Sequence, residues 1–354
     1  MPSKTDNSSA APNRRDVMKS LGLGAAAGAL PIGGLFGGAA QAQSAGLITK
    51  TIPRTGDVVP AIGLGTYLTF DIIPGQKRDH VREVMRRHWE GGGRVFDTSP
   101  LYGMSEVNVG HFATALGITN EMFIANKIWS TGEFLGDDSH ARRSLEQTMQ
   151  RLWREKIDLM QVHSLVNVDV ITQILANWKR EGRIRYLGVT HHEVPYFGAL
   201  AKWVESGKLD FVQVHYSIHL RLAEERILPA AADKGVAVLV NMPFEKARLF
   251  KVVEGRPLPD FAKEIGAENW AQFFLKWVIS HPAITCAIPA TTNPDHVSEN
   301  IGALKGPLPD AAMRARMVKH MESIPGFDKI SEMPPYPGKT FPGVIRRAQQ
   351  QLKS

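Results

Sequence analysis

The stretch Arg94-Val95-Phe96-Asp97-Thr98-Ser99-Pro100-Leu101-Tyr102-Gly103 decides how the chain is read. Residues 94–96 form the end of a short buried strand, and Asp97 stands at its carboxyl end. Ser99 and Pro100 turn the chain, and Tyr102 follows one loop width later. Taken alone, this is an ordinary strand-to-helix turn as readily as a site. The same event recurs downstream, an apolar strand ending in a polar residue, and the recurrence gives the stretch its meaning.

Working outward, residues 49–52 and 58–62 flank Gly56-Asp57 and predict a β-hairpin. Residues 61–66 follow as a short strand in which Gly65 admits close approach of another backbone. Further strands are predicted at 94–96, 123–126, 157–162, 184–189, 211–214, 236–240 and 284–288. Helical segments fall between them at 79–89, 105–116, 139–152, 169–180, 195–205, 224–234, 261–280 and 294–303, with Ser105 expected to cap the second. The strands are continuous apolar runs, as expected of parallel strands covered by helices. Eight strand–helix units predict an α/β fold, a closed (β/α)8 TIM barrel with the N-terminal hairpin at its bottom. An open doubly wound sheet would carry a longer glycine-rich loop than Gly63-Leu64-Gly65-Thr66.

The chain is organised as a leader over residues 1–42, the barrel over 43–305 and a C-terminal tail over 306–354. Residues 313–323 of the tail are expected to be helical. The proline- and glycine-rich stretch 326–343 either lies over the barrel mouth or frays. The net charge of +7 on 354 residues is spread without an arginine block. It suits attraction of an anionic ligand and gives no nucleic-acid footprint. The single cysteine, Cys286, sits in an apolar run and cannot form an internal disulfide.

Asn13-Arg14-Arg15-Asp16-Val17-Met18-Lys19 resembles a twin-arginine (Tat) export signal. Residues 21–40 are apolar but hold seven glycines and a proline, a weak candidate for a membrane span. Ala40-Gln41-Ala42 offers small residues for cleavage. The resemblance implies an exported, periplasmic protein that meets the Tat machinery and keeps no stable membrane anchor. A retained anchor and an unstructured leader are the alternatives.

Barrel active sites are built at the carboxyl ends of the strands. Those positions carry Asp97, Lys127, His163, Thr190-His191-His192, Gln213 with His215, Asn241 and Ala290-Thr291-Thr292. A lysine ending an apolar strand needs a partner, and Asp97 on the neighbouring strand supplies it. A phenol has an unperturbed pKa of about 10. The nearby Lys127 ammonium is expected to lower that of Tyr102, with His163 binding a substrate oxygen from the other side. The arrangement suits protonation of a carbonyl oxygen as hydride reaches carbon, and no side chain can supply hydride.

From residue 49 to 303 the chain resembles the aldo-keto reductase family. The resemblance is carried by Gly63-Leu64-Gly65-Thr66, the run Asp97–Glu106, Asn126-Lys127, Ile157-Asp158-Leu159, Val162-His163, residues 182–185, Gly188-Val189-Thr190, Gln213, Ile288-Pro289 and Glu299-Asn300. It implies a catalytic tetrad of Asp97, Tyr102, Lys127 and His163 and a bound NADPH or NADH. Thr66, Thr190, His191 and Gln213 would lie at the nicotinamide half, Thr291, Glu299 and Asn300 at the adenosine half, and Asp97 and Asn241 would be further cofactor contacts. The substrate would be a small carbonyl or alcohol compound. Thr190-His191 replaces the family's Ser-Asn, and Asn241 stands where many members stack a tyrosine on nicotinamide. Ala290 and His296 stand where many members place basic residues, so the preference for NADPH over NADH is expected to be modest or absent. Two rivals remain: a metal-dependent hydrolase using the histidines, and a non-catalytic cofactor-binding or scaffolding protein on the same barrel. The first strand ends in Gly65-Thr66-Tyr67 without a metal ligand, which disfavours the hydrolase.

Overall fold

The computed structural model describes residues 46–130 and 137–352. The expected export signal and its expected cleavage site lie outside the described residues.

Two antiparallel strands, β1 (Thr49–Thr51) and β2 (Val58–Pro60), form the hairpin, with Lys50 opposite Val59. Eight parallel strands follow. They are β3 (Leu64–Gly65), β4 (Val95–Asp97), β5 (Phe123–Ile128), β6 (Ile157–His163), β7 (Ile184–His191), β8 (Phe211–His215), β9 (Ala237–Asn241) and β10 (Cys286–Ala287), paired in chain order. A parallel bridge between Ile62 and Ala287 closes the ring. Gly63 N donates to Ala287 O at 2.8 Å, and Gly65 N to Pro289 O at 2.9 Å. Gly65 is required at this seam, because a Cβ there would lie 2.7 Å from the Ile288 carbonyl oxygen. The closed (β/α)8 barrel is thus formed with the hairpin at its N-terminal end.

The hairpin acts as a plug. Ile52 and Val59 pack with Phe123, Tyr186, Phe211 and Cys286 in one buried apolar cluster inside the barrel bottom. Thr55 Oγ1 and the Tyr186 hydroxyl are 2.8 Å apart, tying the turn to the rim. A second, larger cluster fills the space between strands and outer helices. Helix Trp270–Ile279 is buried from Ala271 to Ile279, consistent with its largely apolar run, while Asp79–Glu90 buries only Val81, Val84, Met85 and His88 on one face.

Beyond residue 305 the chain continues to pack on the barrel. Helix Ala311–Glu322 buries Met317 and Met321, and the Arg314 guanidinium sits 4.1 Å from the Trp277 ring centroid. A further helix, Val344–Gln351, closes the described chain. Two local expectations differ. Ser105 is the first residue of helix Ser105–Leu116 and does not cap it; its hydroxyl donates to Thr66 O at 3.1 Å, linking two barrel loops instead. The segment around 224–234 divides into a short turn of helix, Leu222–Glu224, and helix Ile227–Lys234.

Candidate active site

Parallel pairing brings the strand ends together. Asp97 and Lys127 end adjacent strands, and both side chains are fully buried. Lys127 Nζ donates to both Asp97 carboxylate oxygens, at 2.7 and 2.8 Å, and to Thr98 O at 2.9 Å. Its three donors are therefore used. The network runs on across the barrel, since Gln213 bonds the Asp97 carboxylate and Gln161 Nε2 donates to Gln213 Oε1 at 3.2 Å. Burial pushes the Asp97 carboxyl up and the Lys127 ammonium down, and each charge opposes the other's shift.

Tyr102 follows from the turn at 98–101, in which Leu101 N donates to Ser99 Oγ at 3.1 Å. Its ring centroid is 4.8 Å from Lys127 Nζ, 5.0 Å from the Tyr67 ring and 5.8 Å from the His163 ring. Gly103 then turns with φ 59°, where a Cβ would strike the Asp71 carboxylate. The expected acidification of the phenol is not found. Burial pushes Tyr102 well above its ordinary value, and the charges of Asp97, Tyr67 and Tyr336 act in the same direction. Burial is the largest cause, and Asp97, which pairs with Lys127, adds to it. A phenol of this kind is a protonated donor at neutral pH.

His163 Nδ1 is 3.2 Å from Ser99 Oγ, which fixes the ring beside Tyr102. Burial, reinforced by Lys127, lowers its pKa to about 3, so the imidazole is neutral and able to hydrogen-bond a neutral oxygen.

The other expected residues divide. Thr66 uses its N and Oγ1 on Asp97 O, at 3.1 and 2.9 Å, and holds that strand end in place. Thr190 is buried beside His163 in the β6–β7 register. The His191 ring stacks on Tyr196 at 4.0 Å, and its Nδ1 accepts from Glu193 N at 3.1 Å. Asn241 ends β9, and its Oδ1 is buried without a partner. Thr291 Oγ1 accepts from Asn293 N at 3.0 Å, just before helix Pro294–Gly302, whose inner face buries Asn300 while Glu299 stays half-buried. His215 pairs with Glu245 at 2.6 Å, and does not converge with Asp97. Glu106 accepts from Asn126, Thr148 and Arg151 and is a structural tie between elements.

Tyr67, Gln161 and Tyr336 stand in or against this network, and none was singled out for a role from the sequence. Tyr67 and Gln161 were findable, one beside Thr66 and the other two residues before His163. Tyr336 lies in a proline-rich stretch that carries no periodic signal.

The unpartnered Asn241 Oδ1 and the buried Gln161 Oε1, also without a partner, are unfilled acceptors at the barrel top. A ring bearing a carboxamide fits acceptors of this kind. A cavity of about 560 Å³ is lined by Ser164, Leu165, Val168, His191, Tyr196 and Trp203 among others, and His163, Tyr102 and Lys127 are not in its lining.

A sequence model described as the Aldo/keto reductase family matches residues 61–320. The Aldo-keto reductase yakc [NADP(+)] of Schizosaccharomyces pombe is 24% identical over 301 residues, covering 73% of this chain and 87% of that protein. An aldo/keto reductase from Klebsiella pneumoniae, solved with NADP and acetate, superposes with a TM-score of 0.63 at 23% identity, covering 76% of this chain and 94% of that one. The aldo-keto reductase AKR11C1 from Bacillus halodurans gives the same TM-score at 21% identity over 77% and 96% of the two chains.

Proposed function

Because the chain belongs to the aldo-keto reductase family, we propose that it is a nicotinamide-dependent oxidoreductase interconverting an aldehyde or ketone and an alcohol. The observation that carries the proposal is the grouping of Lys127, held by Asp97 at 2.7 Å, with a protonated Tyr102 whose ring lies 4.8 Å from Lys127 Nζ and 5.8 Å from a neutral His163.

A nicotinamide dinucleotide held here would supply the hydride chemistry at the carbonyl or alcohol carbon. Thr190, Gln213 and Asn241 would hold its carboxamide end, and Thr291, Glu299 and Asn300 its adenosine end. The chain's own work is proton transfer and orientation. His163, locked on Ser99, donates a hydrogen bond from its second ring nitrogen to the substrate oxygen. Tyr102 transfers its phenolic proton to that oxygen as negative charge develops there. Lys127 then stabilises the phenolate, at 4.8 Å from the ring, and Asp97 keeps the ammonium in register. In the oxidation direction the same groups act in reverse.

The Schizosaccharomyces pombe relative is named for NADP(+) and the Klebsiella pneumoniae enzyme was solved with NADP, which supports a nicotinamide cofactor here. Ala290 and His296 are exposed and provide little fixed positive charge for a 2′-phosphate, which supports a small preference between NADPH and NADH. Arg14-Arg15 and the weakly apolar stretch after them support export of the folded protein by the twin-arginine route. Arg14→Lys/Arg15→Lys should hold the protein in the cytoplasm, and undiminished periplasmic recovery would refute the route.

The direct test of the function is to identify the nucleotide released from purified protein and then screen aldehydes and ketones. Tyr102→Phe should retain cofactor binding and lose about 10²–10⁴-fold in kcat. Turnover unaffected by that change would overturn the assignment.

A further inference from the structure

One buried carboxylate stands at the start of two helices. Asp71, in the loop after β3, is 1% exposed. Its Oδ1 accepts from Met104 N at 3.0 Å, and its Oδ2 accepts from Ile345 N at 2.8 Å. Met104 precedes helix Ser105–Leu116 and Gly343 precedes helix Val344–Gln351, and neither residue caps its helix with a side chain of its own. A helix start leaves backbone N–H groups unpaired and favours negative charge beside it. Asp71 meets both needs at both helices, from 33 and 274 residues away in sequence. The two amides in turn offset the cost of burying the carboxylate.

The backbone is shaped to admit this side chain. A Cβ on Gly103, which turns at φ 59°, would strike the Asp71 carboxylate, and one on Gly343 would strike both the Asp71 carbonyl oxygen and the carboxylate. Asn108 Nδ2 donates to Phe70 O and Ile72 O, each at 2.7 Å, so the loop is clamped to helix Ser105–Leu116 on either side of Asp71. Gly103 directly follows Tyr102, and the Tyr67 ring of the same loop lies 5.0 Å from the Tyr102 ring. The C-terminal segment reaches the same place. Tyr336 N donates to Lys246 O at 2.8 Å, the Tyr336 ring meets Phe341 edge-on at 5.3 Å, and its phenol is close enough to oppose ionisation of Tyr102. Phe341 and Pro342 share a cavity wall with Leu68, Thr69 and Ile72.

We propose that Asp71 is a positioning residue for Tyr102, and that through it docking of the C-terminal helix and alignment of the Tyr102 turn are one event. That helix lies beyond the family-matched residues 61–320. The proposal rests on the reading of Tyr102 as proton donor. With Ile345 N withdrawn, water reaches Asp71 Oδ2, the carboxylate turns away from Met104, and Tyr336 leaves the Tyr102 phenol. A misplacement of about 1 Å at a reacting group costs on the order of 10²-fold in rate.

Gly343→Ala is the sharpest test, because it alters the helix side alone. The full-length variant should lose about ten- to a hundredfold in kcat for the carbonyl compound that wild type reduces best, with NADPH affinity within about threefold of wild type. Asp71→Asn keeps one acceptor, and its kcat should fall between those of wild type and Asp71→Ala. Asp310→Ala is the control for a cap that only stabilises: Asp310 Oδ1 accepts from Met313 N at 2.8 Å, and its loss should lower Tm with kcat unchanged. Hydrogen exchange reads the coupling without turnover, and Gly343→Ala should speed exchange at residues 102–106 as well as 343–351. Faster exchange confined to 343–351, or Asp71→Asn and Gly343→Ala behaving like Asp310→Ala, would overturn the coupling. Coupled exchange in a protein whose wild type reduces no carbonyl compound would overturn the functional reading and leave the tie between helix and turn standing.

Discussion

Replacing Lys127 by methionine tests the charge pair at the centre of the barrel. The Lys127 and Asp97 side chains are 1% and 4% exposed, and their separation is 2.7 Å. Lys127→Met keeps the chain length and leaves the Asp97 carboxylate buried with only Gln213 to hold it. Breaking a buried pair in this way costs about 3–5 kcal/mol. For roughly 300 ordered residues, at about 2.1 cal/mol/K of unfolding entropy each, that loss lowers Tm by about 5–8 °C. Burial pushes both groups toward neutrality, so the ionised pair itself adds little net stability. The double variant Asp97→Leu/Lys127→Met should therefore recover most of the loss, leaving a residue of about 1–2 kcal/mol from the freed Thr98 carbonyl and Gln213 amide. Urea unfolding of the two single variants and the double variant, read by tryptophan fluorescence, completes the cycle. A coupling energy below about 0.5 kcal/mol, or a double variant as unstable as the singles combined, would show that the two charges do not depend on each other.

The pH dependence of reduction follows from the two shifts. His163, lowered to about 3, stays neutral, and Tyr102, raised well above 10, stays protonated; kcat/KM should be level from about pH 6 to pH 9 and fall only at higher pH as the phenol ionises. An ionisation near pH 6.5 that disappears in His163→Gln would contradict the neutral imidazole. Gly65→Ala places a methyl against the Ile288 carbonyl at the barrel seam and should destabilise by about 1–3 kcal/mol in urea titration, whereas the same change at exposed Gly117, which has φ 70° and no close neighbour, should show strain alone. Parallel titrations should give NADPH and NADH affinities within about a hundredfold of each other, and a wider gap would mean that cations other than those expected at positions 290 and 296 hold the 2′-phosphate. Asp71→Ala removes the acceptor shared by Met104 and Ile345 and should raise amide exchange across residues 343–351, with unchanged exchange refuting its hold on the C-terminal helix.

Much of the barrel was legible because its strands are buried on both faces. The run Phe123–Ile128 is buried throughout, and such a run needs no partner information to be read as a strand. The Asp97–Lys127 pair was legible for a related reason: two opposite charges end adjacent apolar strands, and each is untenable alone. The direction of the Tyr102 shift was not legible. It depends chiefly on how deeply the phenol is buried once Tyr67 and Tyr336 pack around it, which no side-chain pattern announces. The capping role expected of Ser105 failed because its hydroxyl is claimed by Thr66 from another loop. The C-terminal segment is held by Asp71 through Ile345 N and by the Lys246 carbonyl through Tyr336 N. Neither contact leaves a periodic trace in the chain.

Cys286 sits inside the plugged barrel bottom among Ile52, Tyr186 and Phe211, with its thiol wholly enclosed and its ionisation suppressed by burial. As the chain's sole sulfhydryl, it is a native clock for opening of the plugged end. A chromogenic disulfide reagent should be consumed at the pace at which the hairpin stopper lifts or the whole ring comes apart, and labelling after a timed exposure to heat or denaturant would measure that pace without any engineered probe.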